Sequence, residues 1–285
     1  MYKILFVSLL MLLQSFYTVA SPVWKVSKGD DQVVIGGTIH VLSEKDYPLP
    51  DKFEKAYEAS DTLVFESDIS RMNSPEFQQQ SLHYILLQDG RTIKDFLSEK
   101  TYKALEVHLQ ERNLSIQQFA TLKPSFLSVT LSMIELQMMG VSSAGVDAYY
   151  SVKGIGDQKH IDWFEQPEEQ MAMLADMGKG DEDAMIAYGL KDVANIKQMM
   201  PKLIEAWRTG DLDKLAELGI DEMERDYQEI YDQLLVQRNK NWIPKIEQFF
   251  GNQHSELILV GALHLAGDQS VLKLLQEKGY KVEKY

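Results

Sequence analysis

Two tetrads of the same form stand near opposite ends of the chain, Gly37-Thr38-Ile39-His40 and Gly261-Ala262-Leu263-His264. Each follows an apolar run, Val33-Val34-Ile35 in the first and Leu257-Ile258-Leu259-Val260 in the second. Acidic groups occupy comparable places: Glu66 closes Thr62-Leu63-Val64-Phe65, Glu165 closes His160-Ile161-Asp162-Trp163-Phe164, and Asp147 follows Gly145-Val146. Imidazole and carboxylate together hold a divalent metal with an open position, which activates water. Without a metal, the same pair serves as general base and orienter. Taken singly, each tetrad is explained by a buried strand with an incidental histidine, and each acid by a solvated strand end. The repetition at opposite ends of the chain points instead to one shared site.

Other candidates carry weaker signals. Arg238, inside Leu234-Leu235-Val236-Gln237-Arg238-Asn239, falls in an expected helix. It can clamp a carboxylate or a substrate through bidentate contacts, although a surface salt bridge is the simpler reading. Glu165-Gln166-Pro167 reads most simply as a helix start. His83, His108, His160 and His254 have no partner pattern and read as surface or structural residues. No Gly-x-Ser-x-Gly elbow, His-Glu-x-x-His helix, phosphate loop or dinucleotide fingerprint is present.

The elements that must position these groups follow from periodicity. Apolar, β-branched runs bounded by turn residues are buried strands, here Val23–Val26, Val33–His40, Thr62–Glu66, His160–Glu165, Leu257–His264 and Tyr280–Glu283. Gly37 and Gly261 let the backbone turn or lie close to a ligand. Both histidines then stand at strand exits, where open α/β sheets hold their ligands. Between residues 75 and 250 the pattern is mostly helical. A helix opens at Pro124, and a short one from Gly145 is expected to end at Lys153-Gly154-Ile155-Gly156. Another opens at Pro167, with breaks near Gly178, Gly210 and Gly219. The fold class is therefore α/β: a mixed central sheet built from N- and C-terminal strands, with a large, mostly helical middle region packed on it. No stretch between residues 21 and 285 forces a domain cut.

Composition narrows the function. The net charge of −14 offers no basic patch, so nucleic acid is not an expected partner. Cysteine is absent, which removes disulfides, thiol nucleophiles and cysteine-bound zinc. Any metal would be held by His, Asp and Glu, which suits zinc, manganese or cobalt. At the N-terminus Lys3 precedes the apolar run Ile4 to Leu13, and Thr18-Val19-Ala20 gives a small-residue exit. That layout is a signal peptide over residues 1–20, with no membrane span after it. The expected location is secreted, or periplasmic in a Gram-negative source.

The chain resembles the TraB/GumN family, related to the Tiki proteases and more distantly to the erythromycin-esterase and ChaN-like proteins. The resemblance rests on Gly37-Thr38-Ile39-His40, Leu63-Val64-Phe65-Glu66, Gly145-Val146-Asp147 and Phe164-Glu165-Gln166-Pro167. Trp207-Arg208-Thr209-Gly210-Asp211, Arg238-Asn239-Lys240-Asn241-Trp242 and Val260-Gly261-Ala262-Leu263-His264 complete the ordered set. It implies a mixed sheet with the two Gly-x-x-His strands side by side. It also implies metal-dependent peptidase activity, with His40, His264 and Glu66 as metal ligands or acid–base groups. Gly37, Gly261, Asp147, Glu165 and Arg238 take supporting places. The expected function is an exported metal-dependent hydrolase acting on a peptide or protein. The alternative is a binding protein that sequesters a peptide signal, or haem or iron.

Overall fold

A computed structural model describes residues 21–285. The expected signal peptide lies outside the described residues. The central sheet has six strands in the order β6-β4-β7-β2-β1-β8. These are β1 (Val23–Lys28), β2 (Asp31–Thr38), β4 (Thr62–Ser67), β6 (His160–Glu165), β7 (Glu256–Gly261) and β8 (Lys281–Lys284). The first and last of these, β1 and β8, pair antiparallel, and β1 joins β2 as an antiparallel hairpin. From β2 onward the strands β2, β7, β4 and β6 are all mutually parallel. The sheet is thus mixed and completed by both ends of the chain, and the two Gly-x-x-His strands are direct neighbours, with Gly37 opposite Val260 and Thr38 opposite Gly261.

Alternation along the strands sorts the core into two faces, as a period of two requires. Val34, Leu63, Phe65, Leu257 and Leu259 enter one apolar cluster with Phe53, Tyr57, Tyr150 and Trp207 from the helices Asp51–Ala59, Val146–Gly156 and Glu182–Thr209. Val33, Ile35, Val64, Ile258 and Val260 enter a second with Trp242, Ile246, Leu272 and Leu275, from the helices Gln237–Glu247 and Val271–Glu277. A third cluster, with Leu105, Leu127, Leu131 and Ile186, holds the helical middle region together. Trp207 is fully buried and its indole N–H donates to the Gly37 carbonyl at 2.6 Å. Truncating such a residue to alanine costs about 3–5 kcal/mol, and here it would also release the first tetrad.

Two expectations are corrected. The Leu257–His264 strand stops at Gly261, and Ala262–Leu265 forms one 3-10 turn that carries His264. Likewise β2 ends at Thr38, two residues before His40. Lys153-Gly154-Ile155-Gly156, expected as a closing turn, is itself the last turn of the Val146–Gly156 helix, which ends at Gly156. A Cβ on Gly154 would lie 2.5 Å from Leu63 Cδ1, so this glycine serves close packing of helix on sheet. A small antiparallel ribbon of β3 (Val41–Ser43) and β5 (Val141–Ala144) is an element that periodicity did not reveal. Its strands are too short to show alternation.

Candidate functional site

The four parallel strands end on one rim, and the candidate residues gather there. Glu66 sits near the end of β4, Glu165 ends β6, Gly261 ends β7, and His40 follows β2. The two tetrads touch through their backbones: a Cβ on Gly37 would lie 3.2 Å from the Ala262 Cα. Gly261 is the point of convergence. A Cβ placed there would stand 3.2 Å from Glu66 Oε1, 3.4 Å from His40 Nε2 and 3.5 Å from His264 Cδ2. Its own N–H donates to Glu66 Oε1 at 2.6 Å.

Asp147 reaches the site by a backbone device. The ribbon of β3 and β5 pairs Val41 with Ala144, so the chain just after His40 lies beside the chain just before Gly145. The Val146 N–H then donates to the Ile39 carbonyl at 3.0 Å. Asp147, in the first turn of its helix, places Oδ1 3.2 Å from His40 Nδ1. His40 is exposed, with 62% of its side chain open to solvent, whereas the Asp147 side chain is largely covered.

Arg238 and Glu165 turn out to be interior groups rather than a surface pair and a helix start. The Arg238 guanidinium donates from Nε to Glu165 Oε1 at 2.8 Å and from Nη2 to Glu66 Oε2 at 2.5 Å. From Nη1 it reaches the Leu234 carbonyl at 3.2 Å and His264 Nε2 at 3.1 Å. Trp242 Nε1 adds a donor to Glu165 Oε1 at 2.8 Å. Bidentate arginine–carboxylate contact in a covered setting fixes orientation as well as charge. A residue that carried no signal of its own, Asn239, completes the shell. It is 1% exposed, and its Oδ1 accepts from His264 Nδ1 at 2.6 Å. The spacing that places Arg238 and Asn239 side by side in one motif was visible; their long-range partners were not.

The charges of the site are set apart by their surroundings. For Glu66, burial works against ionisation but is outweighed by His264, Arg238, His40 and the Gly261 N–H, which hold the carboxyl far below the usual range. For His264, burial dominates over the attraction of Glu66 and, with Arg238 and His40 repelling a second positive charge, pushes the imidazole down to about 3. His264 is therefore neutral at ordinary pH, and the positive charges standing beside Glu66 are those of Arg238 and His40. At His40, crowding lowers the pKa, but the charge and contact of Asp147, with Glu66 behind it, raise it to about 9 against the opposition of Arg238. His40 is an imidazolium at neutral pH.

His40, Glu66 and Asp147 line a cavity of about 300 Å³ with Thr38, Phe65, Ser67, Ile69, Met72, Gln170 and Leu259. The hydroxyls of Thr38 and Ser67, both buried, have no hydrogen-bond partner among the described residues. A second cavity of about 230 Å³ is lined by Arg238 and Glu165, and Gln170 lines both. The remaining histidines stay apart. His108 lies 3.6 Å from the Glu135 carboxylate that Arg112 also holds, and His254 lies 3.4 Å from Asp61 on the surface.

The expected ligand set of His40, Glu66 and His264 does not fit a divalent ion in this arrangement. Ligand atoms must meet at about 2.0–2.2 Å from one centre, yet the single lone pair of His264 Nε2 faces Arg238, whose guanidinium also stands against Glu66 Oε2 where an ion would have to sit. Among the described residues no three His, Asp or Glu side chains form a metal-holding group. The same occupancy bears on haem, because neither ring nitrogen of His264 is open to an iron.

A relative described as "Uncharacterized protein YbaP" from Escherichia coli K12 is 25% identical over 246 residues, which covers 84% of this chain and 86% of the relative. A protein of the same description from Shigella flexneri matches equally well. No solved structure matches the chain. The model of the TraB/PrgY/gumN family matches residues 22–284, a span that includes both Gly-x-x-His strands, Glu66, Asp147 and Arg238, and the chain belongs to that family.

Proposed function

We propose that the protein is a hydrolase of peptide substrates, with Glu66 as the base that accepts a proton from water and His40 as the acid that protonates the leaving nitrogen. The observation that carries this reading is the convergence of an ionised carboxylate and an imidazolium around Gly261, on a cavity that both side chains line. Two titratable groups whose surroundings push their pKa values apart divide the acid and base roles between them. Water attacks the carbonyl carbon as Glu66 takes its proton, and the C–N bond breaks as His40 gives its proton to the amine. As His40 loses its charge, Glu66 becomes more basic, so the two transfers help one another. The proton on Glu66 then returns to His40, the stronger base, and restores the resting state. Asp147 holds the imidazole and favours its charged form. No step runs through a metal ion.

Two cavities that share Gln170 in their walls suit an extended chain better than a compact small molecule. The N-terminal apolar run supports a substrate outside the cytoplasm. The test is cleavage of a quenched-fluorescent peptide library by protein starting at Ser21, compared with Glu66→Gln and His40→Asn. Turnover in the wild type, lost in both variants, is the expected result. A folded wild type that cleaves nothing, or variants that cleave normally, overturns the reading.

A further inference from the structure

We infer that the fixed cation of this centre is the Arg238 guanidinium, standing where a divalent ion would stand, and that His264 is its seat. All five N–H hydrogens of Arg238 have acceptors: one on Nε, shared between the two Glu165 oxygens at 2.8 and 3.2 Å, two on Nη1 and two on Nη2. One of these acceptors is an imidazole nitrogen, which accepts only when its proton sits on the other nitrogen.

Asn239 decides which nitrogen that is. Its Nδ2 donates to the Gln269 carbonyl at 2.8 Å, an acceptor that an amide oxygen cannot face. The Asn239 oxygen is therefore turned to His264 Nδ1 at 2.6 Å and must receive a hydrogen from it. The proton lies on Nδ1, and the Nε2 lone pair is aimed at Arg238. An outer partner that fixes the tautomer is how proteins orient a metal-binding histidine; here the lone pair so aimed meets a guanidinium.

The charge pattern agrees. Glu66 and Glu165 each give Arg238 a carboxylate oxygen, at 2.5 and 2.8 Å, so the cation is shared by two acids as an ion would be. It is attached to the chain, cannot lose its proton and cannot dissociate. Asn239 and His264 are accordingly positioning residues for Arg238.

The test is titration of the protein from Ser21 with Co²⁺ alone, followed by visible absorption, in wild type, Arg238→Met and His264→Ala. It reads metal rather than turnover, so its outcome is independent of the hydrolytic reading. Wild type is expected to take up no Co²⁺ at this site. Arg238→Met leaves Glu66, Glu165 and His264 without their cation and free to rearrange, and is expected to take up one Co²⁺ per chain through the oxygen and imidazole donors released. One Co²⁺ per wild-type chain, with a ligand-field band that vanishes in His264→Ala, overturns the inference. Should Arg238→Met not fold, ¹⁵N spectra of wild-type imidazoles decide. A neutral His264 protonated on Nδ1 in metal-free protein, unchanged by added Co²⁺, supports the inference; a proton on Nε2, or signals shifted by Co²⁺, defeats it.

Discussion

Gly145 lies against the peptide of His40 so closely that a Cβ on it would collide with the Ile39 carbonyl oxygen and the His40 carbonyl carbon. The obstruction is backbone, which no rotamer change relieves. Gly145 is thus the joint that lets the helix carrying Asp147 dock on the residue it serves. Gly145→Ala is expected to cost about 1–3 kcal/mol, as overpacking of a tight contact does, and to part Asp147 from His40. A lowered urea midpoint together with a His40 pKa back near 6.5 by NMR would show both effects. A variant that keeps its midpoint and its His40 pKa would refute this role.

Gly261 offers a sharper separation of function from stability. Its backbone is ordinary (φ −51°, ψ 136°), so alanine meets no conformational penalty. The added methyl nevertheless enters the space between Glu66, His40 and His264, at 3.2–3.5 Å. Gly261→Ala should lower kcat/KM by about 100-fold, the scale on which misplacing reacting groups is felt, while its melting temperature stays within a few degrees of wild type. Retained peptide cleavage would show that the substrate does not use this spot.

Acid–base roles fix the sign of the pH dependence. If His40 must carry its proton, kcat/KM is flat through neutral pH and falls as pH rises through about 9. Asp147→Asn removes the first stabilising partner of the imidazolium and should move that fall downward. Because the ring is exposed, added salt should move it downward as well. A rate that climbs through pH 9 would instead make His40 the base.

Acid stability should track His264. Its folded-state pKa of about 3 lies below the unfolded value of 6.5, so the unfolded chain binds the extra proton between these limits. The stability this neutral histidine keeps above pH 6.5 is lost as pH falls through that window, by about 2 kcal/mol at pH 5. Glu66 acts in the same direction at lower pH, since a depressed carboxyl pKa stabilises above its unfolded value of 4.5 and is lost below it. Urea unfolding at pH 7 and pH 5 checks this. The drop should shrink in His264→Gln, and an equal drop in both proteins would contradict it.

The parts of the site that were legible in the sequence are those coded by local pattern. Val33 to His40 and Leu257 to His264 carry apolar runs, a glycine and a histidine within a few residues, and that suffices to place both on one sheet edge. Glu66, Glu165 and Asp147 were visible as acids at element ends. What escaped was partnership across long separations. Nothing near Arg238 announces that Glu66 and Glu165 wait for it, and an arginine on a helix is a surface residue by default. Asn239 was hidden for the same reason, because its role is defined by Gln269 and His264 and not by its neighbours. Gly154 had a second role that the sequence did not show: it lies in the last turn of its helix, as expected of a glycine near a helix end, and it also makes room for Leu63.

The position of β7 has a consequence for how the protein comes into being. This strand is made after every other parallel strand, yet it lies between β2 and β4. Until it arrives, the two edges that flank it have no partner, and His40 and Glu66 belong to separate halves of an open sheet. Such a late, long-range pairing is slow to form, and unpaired edges attract other chains. The nascent polypeptide therefore keeps His40 and Glu66 apart, and its strand edges exposed, until β7 slots between β2 and β4, which makes the arrival of that strand the event that assembles the centre.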